Sequence, residues 1–80
     1  MHHDLKLFTK YFQSIVDGRK RSEVRYNDRN YHIGDTITLH EGQPGLSGFE
    51  YTGRTVSARI SFIDDFNAGY VNLSIADVGL

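Results

Sequence analysis

Apolar and polar positions along this chain follow two periods, and the switches between them mark out the elements. Over His3–Phe8 the first five residues alternate, with Leu5 and Leu7 on one side and Asp4 and Lys6 on the other, which predicts a half-buried strand. The period then lengthens. Tyr11, Phe12, Ile15 and Val16 form one stripe at helical spacing, Thr9 stands where a cap is needed, and Asp17-Gly18 supplies the stop. Alternation returns over Arg21–Tyr26, which assigns Ser22, Val24 and Tyr26 to the core face and Arg21, Glu23 and Arg25 to solvent. Asn27–Asn30 and Ile33–Asp35 have turn composition, and Thr36–Glu41 alternates again. Between Gly42 and Gly53 lie four of the eight glycines and the only proline, Pro44, a composition that predicts a long hairpin loop. Val56, Ala58, Ile60 and Phe62 then give the clearest strand, Arg54–Phe62, expected at the centre of a sheet. Asp64–Ala68 turns, and Gly69–Ile75 closes with Val71, Leu73 and Ile75 inward.

The predicted order is therefore β-α-β-β-β-β, an α+β, strand-rich chain of about five strands with one short helix after the first. So small a sheet hides its edges best by curling into a β-barrel. At 80 residues the chain is expected to form a single domain over residues 1–80, and 39% hydrophobic with 24% charged residues is the balance of a folded protein. Neither an internal repeat nor a low-complexity segment interrupts it. The absence of cysteine removes disulfides, thiol nucleophiles and cysteine-based zinc sites. No apolar run approaches the roughly 20 residues of a spanning helix, the first ten residues lack a signal-peptide core, and Gly79-Leu80 carries no readable address. A cytoplasmic protein with no membrane partner is expected.

Charge changes the picture more than composition does. The net −1 conceals two halves: residues 1–30 carry seven bases against four acids, a balance of +3, and residues 31–80 carry two against six, a balance of −4. Such a dipolar molecule can steer an anion to one face without coating nucleic acid indiscriminately. The bases crowd at the helix-to-strand junction Gly18-Arg19-Lys20-Arg21-Ser22-Glu23-Val24-Arg25, followed by Asn27-Asp28-Arg29. There Glu23 is flanked by guanidinium groups that leave donors for a phosphate or carbonyl oxygen, and a desolvated Lys20 could serve as base or nucleophile. From spacing alone, ordinary cross-strand ion pairs on a solvated face account for the same run.

Other chemistry is thinner. Tyr26, Tyr31, Tyr51, Tyr70, Phe49 and Phe66 lie near turns and are candidates to stack unpaired bases, Phe49 and Tyr51 foremost because a mobile loop offers them no packing partner. His2, His3, His32 and His40 lack metal-ligand spacing, so no metal is expected, and Gly42, Gly45 and Gly48 do not compose a phosphate loop. No cofactor is implied.

The junction Gly18-x-Lys20-x-x-Glu23-x-Arg25 resembles the signature of ASCH domains, relatives of PUA domains. His3-x-Leu5-Lys6, Tyr11-Phe12, Asn27-Asp28-Arg29 and Gly34-Asp35 extend the likeness, to a short ASCH-like subfamily of unknown function, over nearly the whole chain. The resemblance implies a small β-barrel with flanking helices, and a cleft where Lys20, Glu23 and Arg25 meet a single-stranded nucleic acid or a nucleotide. Certain ASCH proteins are amidohydrolases that deacetylate acetylcytidine with a lysine, a threonine three residues later and a distant glutamate. Here Lys20 matches the lysine, Glu23 occupies the threonine position, and Glu41 or Asp64 is a conceivable distant acid, while Ser22 is assigned to the core side.

Three expectations follow. The first is an RNA- or nucleotide-binding module using Lys20, Glu23, Arg25, Asn27, Arg29 and Tyr51. The second is a nucleoside amidohydrolase in which Lys20 activates water and Glu23 shuttles the proton. The third is a protein-interaction module using a strand edge or the Gly42–Gly53 loop.

Overall fold

The computed structural model describes residues 1–79, so Leu80 of the Gly79-Leu80 terminus lies outside it. Strand β1 (His2–Phe8) leads directly into helix α1 (Thr9–Val16), and four strands follow: β2 (Ser22–Tyr26), β3 (Thr36–Gly45), β4 (Gly48–Asp65) and β5 (Tyr70–Gly79). They form one sheet in the order β1-β3-β4-β5-β2, with β1 parallel to β3 and the other neighbours antiparallel. The alternating segment around Val56 and Ile60 is central, as its pattern predicts.

The inner face collects Leu5 and Leu7, Ile37 and Leu39, Val56, Ala58 and Ile60, and Val71, Leu73 and Ile75, all buried. Helix α1 lies over this face and packs on β1, β3 and β5. It inserts Phe12 and Ile15, both fully buried, whereas Tyr11 is partly exposed and Val16 packs at the margin. Its N-cap is Phe8, which makes no side-chain capping bond; Thr9 is the first helical residue, and its hydroxyl instead donates to Gly42 O at 3.4 Å. Gly18 ends the helix at φ +78, with its N–H on Ile15 O.

Three further expectations are corrected. Gly42–Gly53 is not a loop: β3 and β4 continue through it, pairing Gly42 with Tyr51, Gln43 with Glu50 and Pro44 with Phe49, and only Leu46-Ser47 turns. A β-bulge interrupts the register between His40 and Gly42, where this arm begins. Glycine is required at position 42 because a Cβ there would lie 2.4 Å from Glu50 O and from the Phe49 ring.

The faces of β2 are the reverse of those its pattern suggests. Glu23 pairs with Leu73 and Arg25 with Val71, and paired residues share a face, so Glu23 and Arg25 point inward. Val24 and Tyr26 are outside, and Ser22, paired with Ser74, is not core-facing.

Closure into a barrel by backbone pairing is absent among the described residues, because β1 and β2 remain as edges. Two side chains span the gap between them. Arg25 Nη2 donates to Lys6 O, and Arg29 Nη1 donates to Asp4 O at 3.0 Å. Guanidinium groups thus satisfy edge carbonyls that a neighbouring strand would otherwise take.

A separate buried cluster fixes the turn before β3. His3 Nε2 donates to Asp35 Oδ2 at 2.8 Å, the Met1 amine to Asp35 Oδ1 at 3.0 Å, and the His32 backbone N–H to Asp35 Oδ2 at 3.0 Å. These bonds, that from His3 foremost, hold the Asp35 carboxyl far below the usual carboxylate range. Tyr31 packs edge-on against His3 with ring centroids 4.9 Å apart. It is a core residue rather than a free stacking platform, and burial raises its hydroxyl pKa.

Candidate functional site

The β1–β2 seam, the start of α1 and the β3–β4 arm enclose a cleft of about 530 Å³. Glu23, Val24 and Arg25 of β2 form one wall. Lys6, Leu7 and Phe8 at the end of β1 form another, and Tyr11 and Phe49 add aromatic surface. A second depression of about 550 Å³, lined by Asp4, Leu5, Lys6, Arg29, His40 and Tyr51, shares Lys6 with the first.

Glu23 is the hub of the cationic wall. Its Oε1 lies 3.0 Å from Lys20 Nζ and its Oε2 accepts from Arg25 Nε at 3.1 Å, with the Glu23 side chain only 10% exposed. Lys20 also donates to Ser22 O and lies 5.5 Å from the centre of the Tyr11 ring. Two of its three ammonium hydrogens are thereby committed, and Lys20 is not among the residues lining the cleft. Arg25 does line it, with one nitrogen on Glu23 and another on Lys6 O.

Aromatic rings face these cations. Phe8 and Phe49 are stacked with centroids 6.2 Å apart and planes inclined by 29°, and Phe49 meets Tyr51 edge-on at 5.0 Å. Lys6 Nζ sits 5.3 Å from the Phe49 ring centre. Phe8 and Tyr51 remain about half exposed. In the second depression His40 Nε2 donates to Asp4 Oδ1 at 2.9 Å, which lowers the Asp4 carboxyl pKa.

The sequence candidates divide accordingly. Lys20, Glu23 and Arg25 come together, and Arg29 and Tyr51 meet in the adjoining depression. Asn27 belongs elsewhere, lining a small hollow at the β4–β5 turn with Phe66 and Tyr70. Asp64 pairs with Asn72, which pairs with Val24, so it lies on the outer face away from Glu23. Glu41 is buried at the bulge, accepting from the Thr52 hydroxyl at 2.6 Å with Arg54 Nε 3.8 Å away. Tyr26 and Tyr70 pair edge-on at 5.4 Å on the outer face. The sequence reading missed Lys6 and Phe8. Their signal was the free-edge position of β1, which becomes informative only once β2 is placed opposite. Among the described residues, no group of His, Asp and Glu is arranged to hold a metal ion, and no helix is long and apolar enough to cross a membrane.

Comparison with known proteins gives a family without an assigned activity. Residues 2–75 match the model of a domain of unknown function, DUF3850, and the chain belongs to that family. It is also similar to the uncharacterized 12.9 kDa protein in the GpA 3′ region of Escherichia phage P2, with 46% identity over 65 residues. That alignment covers 81% of this chain and 56% of the phage protein, so the chain spans little more than half of that relative.

Proposed function

We propose that this DUF3850 domain binds single-stranded RNA or a free nucleotide in the cleft between β1, β2 and the β3–β4 arm. One observation carries the reading: a single concave surface joins two aromatic rings, the half-exposed Phe8 and the partly buried Phe49, to the cations Lys6 and Arg25. Bases stack on such rings whatever their identity, and the adjacent cations meet the phosphates. The charge excess of residues 1–30, which supply β1 and β2, favours an anionic ligand at this seam. The likeness of Gly18–Arg25 to the ASCH signature supports the same reading. Glu23 then serves as the anchor that aims Arg25, a positioning role consistent with its 3.1 Å bond. The commitment of Lys20 to Ser22 and Glu23 counts against its use as a base, and so against the amidohydrolase alternative.

Fluorescence anisotropy with a short single-stranded RNA at two salt concentrations tests the proposal. Wild-type binding should weaken with salt, and Lys6→Ala should lower the slope of log K against log salt by about 0.7, the share of one phosphate on a single strand. Phe49→Ala should weaken binding about ten- to a hundredfold while leaving the salt slope intact. Binding that ignores both substitutions would place the site elsewhere.

A further inference from the structure

The two cavities at the seam repeat one another. Along β1 the carbonyls of Asp4 and Lys6 leave the sheet edge two residues apart, and each accepts from an arginine, Arg29 and Arg25 respectively. Each arginine lines a cavity with one aromatic residue of β4: Arg25 with Phe49, Arg29 with Tyr51, again two residues apart. Lys6 lines both cavities. The volumes are nearly equal, about 530 and 550 Å³. The Phe49 and Tyr51 ring centroids stand 5.0 Å apart. That exceeds the about 3.4 Å rise of stacked bases, so neighbouring bases seated here would be splayed apart, as in single-stranded recognition.

Resting on the reading above, we infer that the seam is a pair of adjacent nucleotide subsites, and that its ligand is a dinucleotide segment of single-stranded RNA rather than a mononucleotide. One base stacks at Phe49, the next at Tyr51, and Lys6 between them meets the phosphate that links the two. The repeat of two strand residues matches two successive nucleotides of an extended strand, which a site built for one nucleotide would not need.

Isothermal titration of the intact domain with uridine monophosphate, the dinucleotide UpU and the tetranucleotide of uridine tests this. UpU should bind about ten- to a hundredfold more tightly than the mononucleotide, the gain expected from one further stacked base, with little added by the tetranucleotide. Tyr51→Ala should bring the affinity for UpU down to that for the mononucleotide, and Tyr51→Phe should restore the difference. Circular dichroism checks that both variants fold. Equal affinity for mononucleotide and UpU, or an equal loss for both in Tyr51→Ala, overturns the paired subsites while leaving the binding function standing. Absence of binding by every ligand overturns both.

Discussion

Replacing Glu23 with alanine removes the one anion shared by Lys20 and Arg25 and leaves two cations facing each other. The Glu23 side chain is 10% exposed, with Lys20 at 27% and Arg25 at 21%. Breaking a fully buried pair costs about 3–5 kcal/mol, whereas exposed pairs are worth about 0.2–1 kcal/mol. Partners left about a quarter exposed fall between these limits, at about 2 kcal/mol of lost stability for Glu23→Ala. In a domain of this size each kcal/mol moves Tm by about 4–8 °C, so the midpoint should fall by about 8–16 °C. Glu23→Gln retains acceptor oxygen but loses the charge and should fall by about half as much. Thermal unfolding followed by circular dichroism, at low salt and at 1 M NaCl, is the assay. High salt shortens the screening length from about 10 Å to about 3 Å and erases exposed pairs while sparing buried ones. A shift under about 2 °C, or one that vanishes at 1 M NaCl, would mean that Glu23 is an ordinary surface partner. The inward placement of Glu23 on β2 would then be wrong.

Four further outcomes are expected. The folded Asp35 carboxyl titrates below its unfolded value of about 3.9, so the stability it contributes is present above that value and is lost as pH falls further. The urea midpoint of wild type should therefore drop more steeply between pH 4 and pH 2 than that of Asp35→Asn; equal slopes would remove Asp35 as the acid-sensitive group. Gly42→Ala should destabilise the domain by about 1–3 kcal/mol, because its Cβ would lie 2.4 Å from the Glu50 carbonyl, and amide exchange should quicken first in the β3–β4 arm. Uniform exchange across the sheet would argue against that local cause. Phe12→Ala, at a fully buried position under α1, should cost about 3–5 kcal/mol in denaturant unfolding; a loss below about 1 kcal/mol would mean that the helix is not seated on the sheet. Arg25→Met should loosen the β1–β2 seam, speeding exchange in β1 but not in β4, and unchanged β1 protection would show that its bond to Lys6 O does not hold the edge.

The chain itself determined where periods change, and with them most of the elements. Leu5 and Leu7 marked β1, Phe12 and Ile15 marked the buried side of α1, Gly18 marked its end, and the run from Val56 to Ile60 marked the central strand. Lys20, Glu23 and Arg25 were legible as a cluster because they are neighbours along the chain, and local geometry suffices to join them. Glycines over 42–53 concealed a hairpin whose alternation of Phe49 and Tyr51 with Glu50 and Thr52 was present in the letters, since composition speaks for loops while pairing depends on a partner strand. The face of β2 was not locally decidable. Ser-Val-Tyr and Glu-Arg alternate equally well, and only the register with Leu73 and Val71, together with a carboxylate that two cations neutralise, turned Glu23 inward. The meeting of Lys6 and Phe8 with Arg25 and Phe49 lay furthest from the sequence. Those residues belong to separate strands, and contact between β1 and β2 arises only after β3, β4 and β5 have curved the sheet and brought its two edges within reach of a guanidinium group.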